Sequence, residues 1–426
     1  MRRTLAVALS LSLVALAACS GGAGDPSATS SGTAAPSAAG SGAVSGSIDV
    51  QLSGGEGEIK AAQELVDAFV ASHPGTKVTL IPVASAADHV SKLTTAFAAG
   101  NPPDAFLINY RRMGAFAADG VIDPASADAA AALYPSTVEA FTKDGQLLCL
   151  PQNASSLVVY VNPALFAAAG VPLPSPGWTW DDMLSTAKAL AAKKVEAIGF
   201  EASLIRLAPF VWSNGGEIVD DAEDPTRVTL GGTPAREAIE FLLALQKTGL
   251  DATQRAAQEP EEAFSSGRVA MFLDSRRAVP GLRKTEGLDF DVVGVPKKVS
   301  SVSVLHADGY CVSKRSDNRA LGHAFAEYAV SLEGATVLAR TGRTVPSLRA
   351  LAESPVFLDP SAKPVSSRVF VDAIPTLRRL PSAPGWNEAE EITEDLLTQL
   401  FAGRLDVDDA VERIGRDTSS ALAQAR

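Results

Sequence analysis

The residue types in this chain that could do chemistry are hydrogen-bonding groups rather than bond-making sets. His73, His89, His306 and His323 are scattered, with no metal-ligand spacing. No Cys-x-x-Cys pair or Cys/His cluster accompanies them, so neither a metal nor a cofactor is implied. The G-x-S-x-G, H-E-x-x-H and G-x-x-x-x-G-K-S/T patterns are missing, as is a complete G-x-G-x-x-G. Asp181-Asp182 reads as a helix cap and Asp220-Asp221 as a solvated turn. Glycoside hydrolysis needs two facing carboxylates, a role that Asp104 and Asp274 could in principle fill. His306 beside Asp308 reads as a structural polar pair. What remains is Gln152, Asn153, Ser155 and Ser156, four amide and hydroxyl side chains in five residues. They suit reversible contact with a polar molecule.

Those side chains lie between two apolar runs, Leu147–Leu150 and Leu157–Val161, with Pro151 interrupting regular pairing. The pattern is either a hairpin or a passage from one domain into another. The passage is preferred, because Asn162-Pro163 leads into the helix-like LFAAAG and not into a returning strand. It would set the polar groups at the mouth of an interdomain cleft.

A chain of 426 residues is long for a single core, so two domains are expected. The net charge of −12 argues against nucleic acid as a partner. Arg2-Arg3 and the apolar Leu5–Ala18 form a targeting segment, and without it the charge becomes −14 (35 basic against 49 acidic residues). The run Leu16-Ala17-Ala18-Cys19 resembles the lipobox of bacterial lipoproteins, which implies lipidation at Cys19 and a membrane anchor on the extracytoplasmic face. Ser20–Ser47, mostly Gly, Ser, Ala, Thr and Pro with one acid, reads as a tether. Cys149 and Cys311 then remain in an oxidising compartment, as a disulfide or as two buried small hydrophobes.

Periodicity supplies the frame. Ile48–Leu52 reads as a strand, Glu58–Ser72 as a one-faced helix, Thr76–Val83 as a strand, Asp88–Ala99 as a helix and Ala105–Ile108 as a strand. A second unit follows, with a helix from Trp178 to Lys193, strands at Val195–Phe200, Arg268–Leu273 and Phe290–Val295, and an acidic hairpin at Ile218–Leu230. Ala320–Leu338 is one long helix, and Glu388–Leu400 and Val407–Leu422 close the chain as two amphipathic helices. Alternating strands and helices predict mostly parallel sheets flanked by helices, an α/β class, with sites at the carboxyl ends of strands.

Several stretches in order carry a family likeness: PPDAFLINYRRMGAFAADGVIDP (102–124), LCLPQNASSLVVYVNPALFAAAGVPLP (148–174), WSNGGE (212–217), SSGRVAMF (265–272), DGYCVSKRS (308–316) and GRTVPS (342–347). The chain resembles the extracellular solute-binding proteins of ABC importers, the family that includes maltose-binding protein. The resemblance implies a two-lobed type II-like fold that closes on its ligand by hinge bending, and delivery to a membrane permease by a monomer. It implies crossings near Asn153–Val159, Val304–Val312 and Arg343–Pro346. One lobe would be 48–153 plus 306–343, the other 154–305 plus 344–426. The implied ligand is a sugar or oligosaccharide; a glycerol phosphodiester-like solute is the alternative, ahead of a secreted carbohydrate-active enzyme or a non-transport surface lipoprotein.

A sugar calls for polar groups and flat apolar faces. Candidate contacts are Gly55 and Glu56 after the first strand, Asp104 and Tyr110 around the third, and Asn153 and Ser155 on the passage. Trp212, Asn214 and Asp274 follow on the second unit, then Asp308, Gly309, Arg343 and Trp386. Trp178, Trp180 and Tyr160 read as core.

Overall fold

The computed structural model describes residues 44–249 and 258–425. The targeting segment, Cys19 and most of the tether lie outside them. Gly46 and Ser47, read as the tether's end, instead begin the first strand, opposite Thr76 and Lys77.

Two sheets organise the chain, each with its own core. In the first the order is Thr76–Val83, Gly46–Ser53, Ala105–Asn109, Asp308–Ser313 and Ile122–Asp123, and Cys149–Pro151 also pairs with Asp308–Ser313. The second runs Asp291–Gly294, Leu157–Val161, Val269–Ser275 and Glu196–Gly199. The α/β class holds, but the sheets are mixed rather than mostly parallel. Asp308–Ser313 is antiparallel to all three of its neighbours, and Leu157–Val161 to both of its own. The reason is topological: segments passing between the sheets enter against the direction set by the strand–helix–strand units.

Leu157–Val161 shows how sequence dictates packing. Side chains alternate across a strand. Leu157, Val159 and Val161 join one apolar cluster, and Val158 and Tyr160 join another on the opposite face. Burial on both faces explains the uninterrupted apolar run, and each such side chain contributes about 1.5–3 kcal/mol.

Helices start where local side chains satisfy their free N–H groups. Glu58 reaches back to the Gly55 N–H (2.8 Å) at the head of Glu56–Ser72. Thr179 and Asp182 cap Trp180–Ala192 reciprocally. The Asp406 carboxylate accepts the Asp409 N–H at the head of Val407–Gln424, which buries Ala410, Val411, Ile414, Thr418 and Leu422 along one stripe.

Two local expectations are corrected, and one helix was not anticipated. Ser331 caps a new helix at Leu332–Ala339, so Ala320–Leu338 is not one rod. The Ile218–Leu230 hairpin reduces to one bridge, Val219–Val228, because Asp220 takes the N–H groups of Thr226 and Arg227. Leu204–Ser213 is a helix buried on every side, so it lacks the one-faced period that identifies surface helices.

Leu157–Val161 and Cys149–Pro151 belong to different sheets, so the polar stretch between them is a passage and not a hairpin turn. Cys149 lies opposite Cys311 and is bonded to it, with Cα atoms 4.4 Å apart and 162 residues between them. Substituting both by alanine is expected to lower stability by about 2 kcal/mol in denaturant unfolding. A loss under about 0.5 kcal/mol would show that strand pairing alone keeps that long loop closed.

Candidate functional site

Between the two sheets the chain forms a narrow ribbon of adjacent segments. The Gln152 N–H donates to the Asp308 carbonyl (2.7 Å), and Ser155 and His306 exchange backbone bonds of 2.8 Å. On the other edge the Ala154 N–H reaches the Val345 carbonyl (2.9 Å). Ser303–Val304 pairs in turn with Leu377–Arg378. The stretch around Gln152–Ser156 is therefore the inner segment, between 345–347 and 303–308. Leu348 and Leu351 still pack into the first core, whereas Val345 packs into the second.

The ribbon's side chains are held in register by one carboxylate. Asp308 accepts from Asn153 Nδ2 (3.0 Å) and Asn109 Nδ2 (3.0 Å), and its own N–H donates to Asn153 Oδ1 (3.1 Å). The expected His306–Asp308 pair is absent, because both Asp308 oxygens are engaged by these amides. Among the described residues the His306 ring makes no hydrogen bond. Burial, and then the guanidiniums of Arg111, Arg206, Arg277 and Arg343, hold its pKa well below the usual imidazole range.

That depression has a stability consequence with a definite sign. The folded pKa lies below the unfolded value of about 6.5, so the contribution is complete above that pH and lost as pH falls. Wild-type melting midpoints should therefore drop from neutral pH toward pH ~5, and His306→Gln should flatten the slope. His89, depressed chiefly by burial, keeps a residual slope in the variant. Identical slopes for the two proteins would remove His306 from this role.

The strand ends on either side of the ribbon carry paired charges. Asp274, at the end of Val269–Ser275, is almost wholly buried and receives Arg206 Nη2 (2.9 Å), Arg277 Nη2 (2.6 Å) and the Ser275 N–H (2.6 Å). Arg206 also meets Glu201 (2.7 Å), and Arg277 meets Glu261 (3.0 Å). The Arg206 Nε is buried with no acceptor. On the other side Glu58 pairs with Arg343 (2.6 Å), whose Nη1 donates to the Arg277 carbonyl (3.3 Å). Arg111 and Arg112 both pair with Glu390, whose side chain has no exposed surface.

The anticipated residues divide by environment. Asn153, Ser155 and Asp308 lie on the ribbon, and Asp274 and Arg343 are joined to it through the charged network. Gly55 and Glu56 are exposed at the head of the helix that carries Glu58. Asp104 takes the Asp49 N–H (2.8 Å) and the Ser316 hydroxyl (2.5 Å) just before Ala105–Asn109. Asn109, at the strand's far end, is the residue that meets Asp308. At about 3.3 Å per residue this puts Asp104 some 16 Å away and unable to face Asp274.

Five further candidates are engaged in packing or in local hydrogen bonds. The Tyr110 ring is fully buried, its hydroxyl donating to the Leu305 carbonyl and accepting the Leu380 N–H, and burial raises its pKa to about 12. Trp386 is fully buried in the second unit's core, and Trp212 lies in the same cluster beneath the Arg378 guanidinium. Gly309 is a packing glycine, because a Cβ there would meet the Phe141 ring at 2.7 Å. Asn214 bonds Glu237 and the Pro234 carbonyl, tying the loop after one helix to the start of another.

Sequence reasoning missed Glu58, Arg111, Arg112, Glu201, Arg206, Glu261, Arg277, His306 and Glu390. Two signals were available. Arg111 and Arg277 follow strand ends, as the chosen Tyr110 and Asp274 do. Arg206 is the lone charge in the otherwise apolar LIRLAPFVW.

Residues 64–364 match the family model described as bacterial extracellular solute-binding protein. A Brucella abortus protein named as a binding protein is 22% identical over 355 residues, covering 80% of this chain and 85% of its own. The sn-glycerol-3-phosphate-binding periplasmic protein UgpB of the same species is 25% identical over 170 residues, 38% of this chain and 39% of that one. Among solved structures, the ABC substrate-binding protein Lmo0181 of Listeria monocytogenes in complex with cycloalternan superposes with a TM-score of 0.80 at 23% identity, covering 88% of this chain and 99% of that one. Maltose-bound MalE3 of T. maritima gives 0.75 at 16% identity, with 88% and 99% covered. The GacH receptor of Streptomyces glaucescens gives 0.78 at 19% identity, with 90% and 100% covered.

Proposed function

The chain belongs to the bacterial extracellular solute-binding proteins, and from that premise we propose that it captures a sugar between its two lobes and delivers it to an ABC permease without altering a bond. Its N-terminal Cys19 would hold it by lipid on the outer face of the membrane, and it would act as a monomer. The lobes we assign are 48–153 plus 306–343 and 154–305 plus 344–426, with Leu348 and Leu351 of the last stretch packing back onto the first lobe. The observation that carries this reading is the ribbon: Asn153, Ser155, His306 and Asp308 stand on the segments that join the sheets, and paired charges lie at the strand ends on either side. Such groups suit hydroxyls, and segments of this kind are where hinge bending occurs. We assign contacts to Gly55, Glu56, Asn153, Ser155, Asp274, Asp308 and Arg343, and add Arg111, Arg206, Arg277 and His306.

One observation favours a second solute, a glycerol phosphodiester-like molecule: the charges of four guanidiniums act on His306, and a partial relative is named for glycerol-3-phosphate. Each of the four is already paired to a carboxylate, which places the sugar first. The test is thermal unfolding of the mature protein against sugars and sn-glycerol-3-phosphate esters. A bound solute at about a hundred times its Kd adds roughly 2.7 kcal/mol. Stabilisation by the esters alone would replace the sugar, and formation of a product would overturn the binding role.

A further inference from the structure

Arg379 holds a carboxylate from each half of the molecule on one guanidinium nitrogen. Its Nη2 donates to Glu223 Oε1 (2.7 Å) and to Glu139 Oε1 (3.3 Å), and its Nη1 donates to the Glu139 carbonyl (3.1 Å). Glu139 stands on the helix Pro135–Ala140, whose Ala140 packs into the first core. Glu223 stands on the turn between Val219 and Val228, which pack into the second core. Both arms are stiff. The Asp221 carboxylate accepts the N–H groups of Glu223 (2.8 Å) and Asp224 (2.9 Å), and the Tyr134 N–H ties the helix start to the Ser347 carbonyl (2.9 Å). Arg379 itself follows Leu377–Arg378, the outermost segment of the ribbon. Before it, Arg378 bonds Glu217 of the second half; after it, the Leu380 N–H bonds the Tyr110 hydroxyl of the first. The chain thus changes allegiance at Arg379.

This clasp lies across the ribbon from the polar site. Successive side chains of Asp308–Ser313 point to opposite faces. A Cβ on Gly309 would meet the ring of Phe141, the residue that ends the Glu139 helix, so the Asp308 carboxylate points the other way. On the clasp's side the halves are separated by a cavity of about 30 Å³, lined by Met113, Ala140 and Lys143 from the first and by Ala222 and Glu223 from the second. Bending about the ribbon therefore works as a lever. A swing that brings the halves together over Asp308 draws Glu139 and Glu223 apart.

Resting on the binding reading, we propose that Arg379 is a positioning residue for closure, an ionic clasp that opposes the swing and makes affinity for an uncharged sugar rise with ionic strength. The side chains of Arg379, Glu139 and Glu223 are 32%, 69% and 70% exposed, so dissolved salt reaches and screens them. The ion pairs on the site's side, such as Arg206 with Asp274, are buried and respond less. Removing the guanidinium alone has a second effect. Two carboxylates then face each other behind the ribbon, and their repulsion drives the swing forward. Lys143 lines the same cavity but makes no ion pair among the described residues. Salt screens attraction in the wild type and repulsion in Arg379→Gln, so it acts on closure with opposite signs in the two proteins.

Spin labels on Lys60→Cys and Lys188→Cys, exposed positions on the helices Glu56–Ser72 and Trp180–Ala192, read the separation of the halves by double electron–electron resonance. The mature protein is measured alone, and with glucose, galactose, xylose, maltose and cellobiose, at about 20 mM and about 500 mM NaCl. Without sugar, the close population of the wild type should rise about threefold with salt. In Arg379→Gln it should stand about threefold above the wild type at low salt and fall as salt is added. Adding Glu139→Gln and Glu223→Gln to Arg379→Gln should abolish the salt response. Equal populations in wild type and Arg379→Gln, or salt acting in the same direction on both, overturns the inference. Distances that none of the five sugars shifts in any variant overturn the sugar reading instead, and the sugar-free populations still decide the clasp.

Discussion

Glu390→Ala is expected to cost about 4 kcal/mol of folding stability. The Glu390 side chain is wholly buried and answers two guanidiniums, one of them on Arg111, which is itself only 11% exposed. Removing the carboxylate leaves a permanently charged guanidinium enclosed without its paired anion. The penalty comes from that uncompensated charge and not from the pair's net strength. Removing both charges should therefore be milder than removing one. Arg111→Met with Glu390→Met should recover most of the loss, giving a large coupling energy in a double-mutant cycle. Denaturant unfolding reads both quantities, and a single variant within about 1 kcal/mol of wild type would contradict the account. The pair also joins the loop after Ala105–Asn109 to the helix that carries Trp386, so its loss should loosen the two halves relative to each other.

Arg206→Met should leave the protein folded and weaken its solute by about a hundredfold, or 2.7 kcal/mol. The fold survives because Asp274 keeps Arg277 and the Ser275 N–H when Arg206 is gone, and methionine replaces the aliphatic stem. On the proposed contact set, binding suffers because the Arg206 guanidinium supplies charge-assisted donors to the solute. Titration with the ligand found by thermal shift measures the effect, and a matching circular dichroism spectrum shows that the fold is intact. A loss under about threefold would place Arg206 in the scaffold. Asp274→Ala is the contrasting variant: it removes the buried carboxylate that two adjacent guanidiniums share, leaving only Glu201 and Glu261 to answer them, and should lower stability as well as affinity.

The fold was legible wherever the signal was local. The stripe at Val407–Gln424, the reciprocal cap at Thr179 and the polar interruption after Pro151 each need only neighbours in sequence to be recognised. Helix Leu204–Ser213 was not legible, because burial on all sides erases the alternation that would mark a face. The site was legible in part. Asn153, Ser155 and Asp308 stood out as polar residues on strands that pass between units. The aromatic candidates did not, because an indole serves equally as core or as sugar platform, and only its neighbours decide which.

By itself the sequence determined the α/β class, the family likeness, the passage at Gln152–Ser156 and two cysteines able to meet. These follow from periodicity, turn chemistry and residue order, which are properties of short stretches. Tertiary structure alone decided strand direction in the two sheets, the burial of Tyr110, Trp212 and Trp386, and the partners of each arginine. Arg206 finds Asp274 across 68 residues and Arg111 finds Glu390 across 279. Pairings over such distances are chosen by the packing of whole sheets, so no local pattern records them.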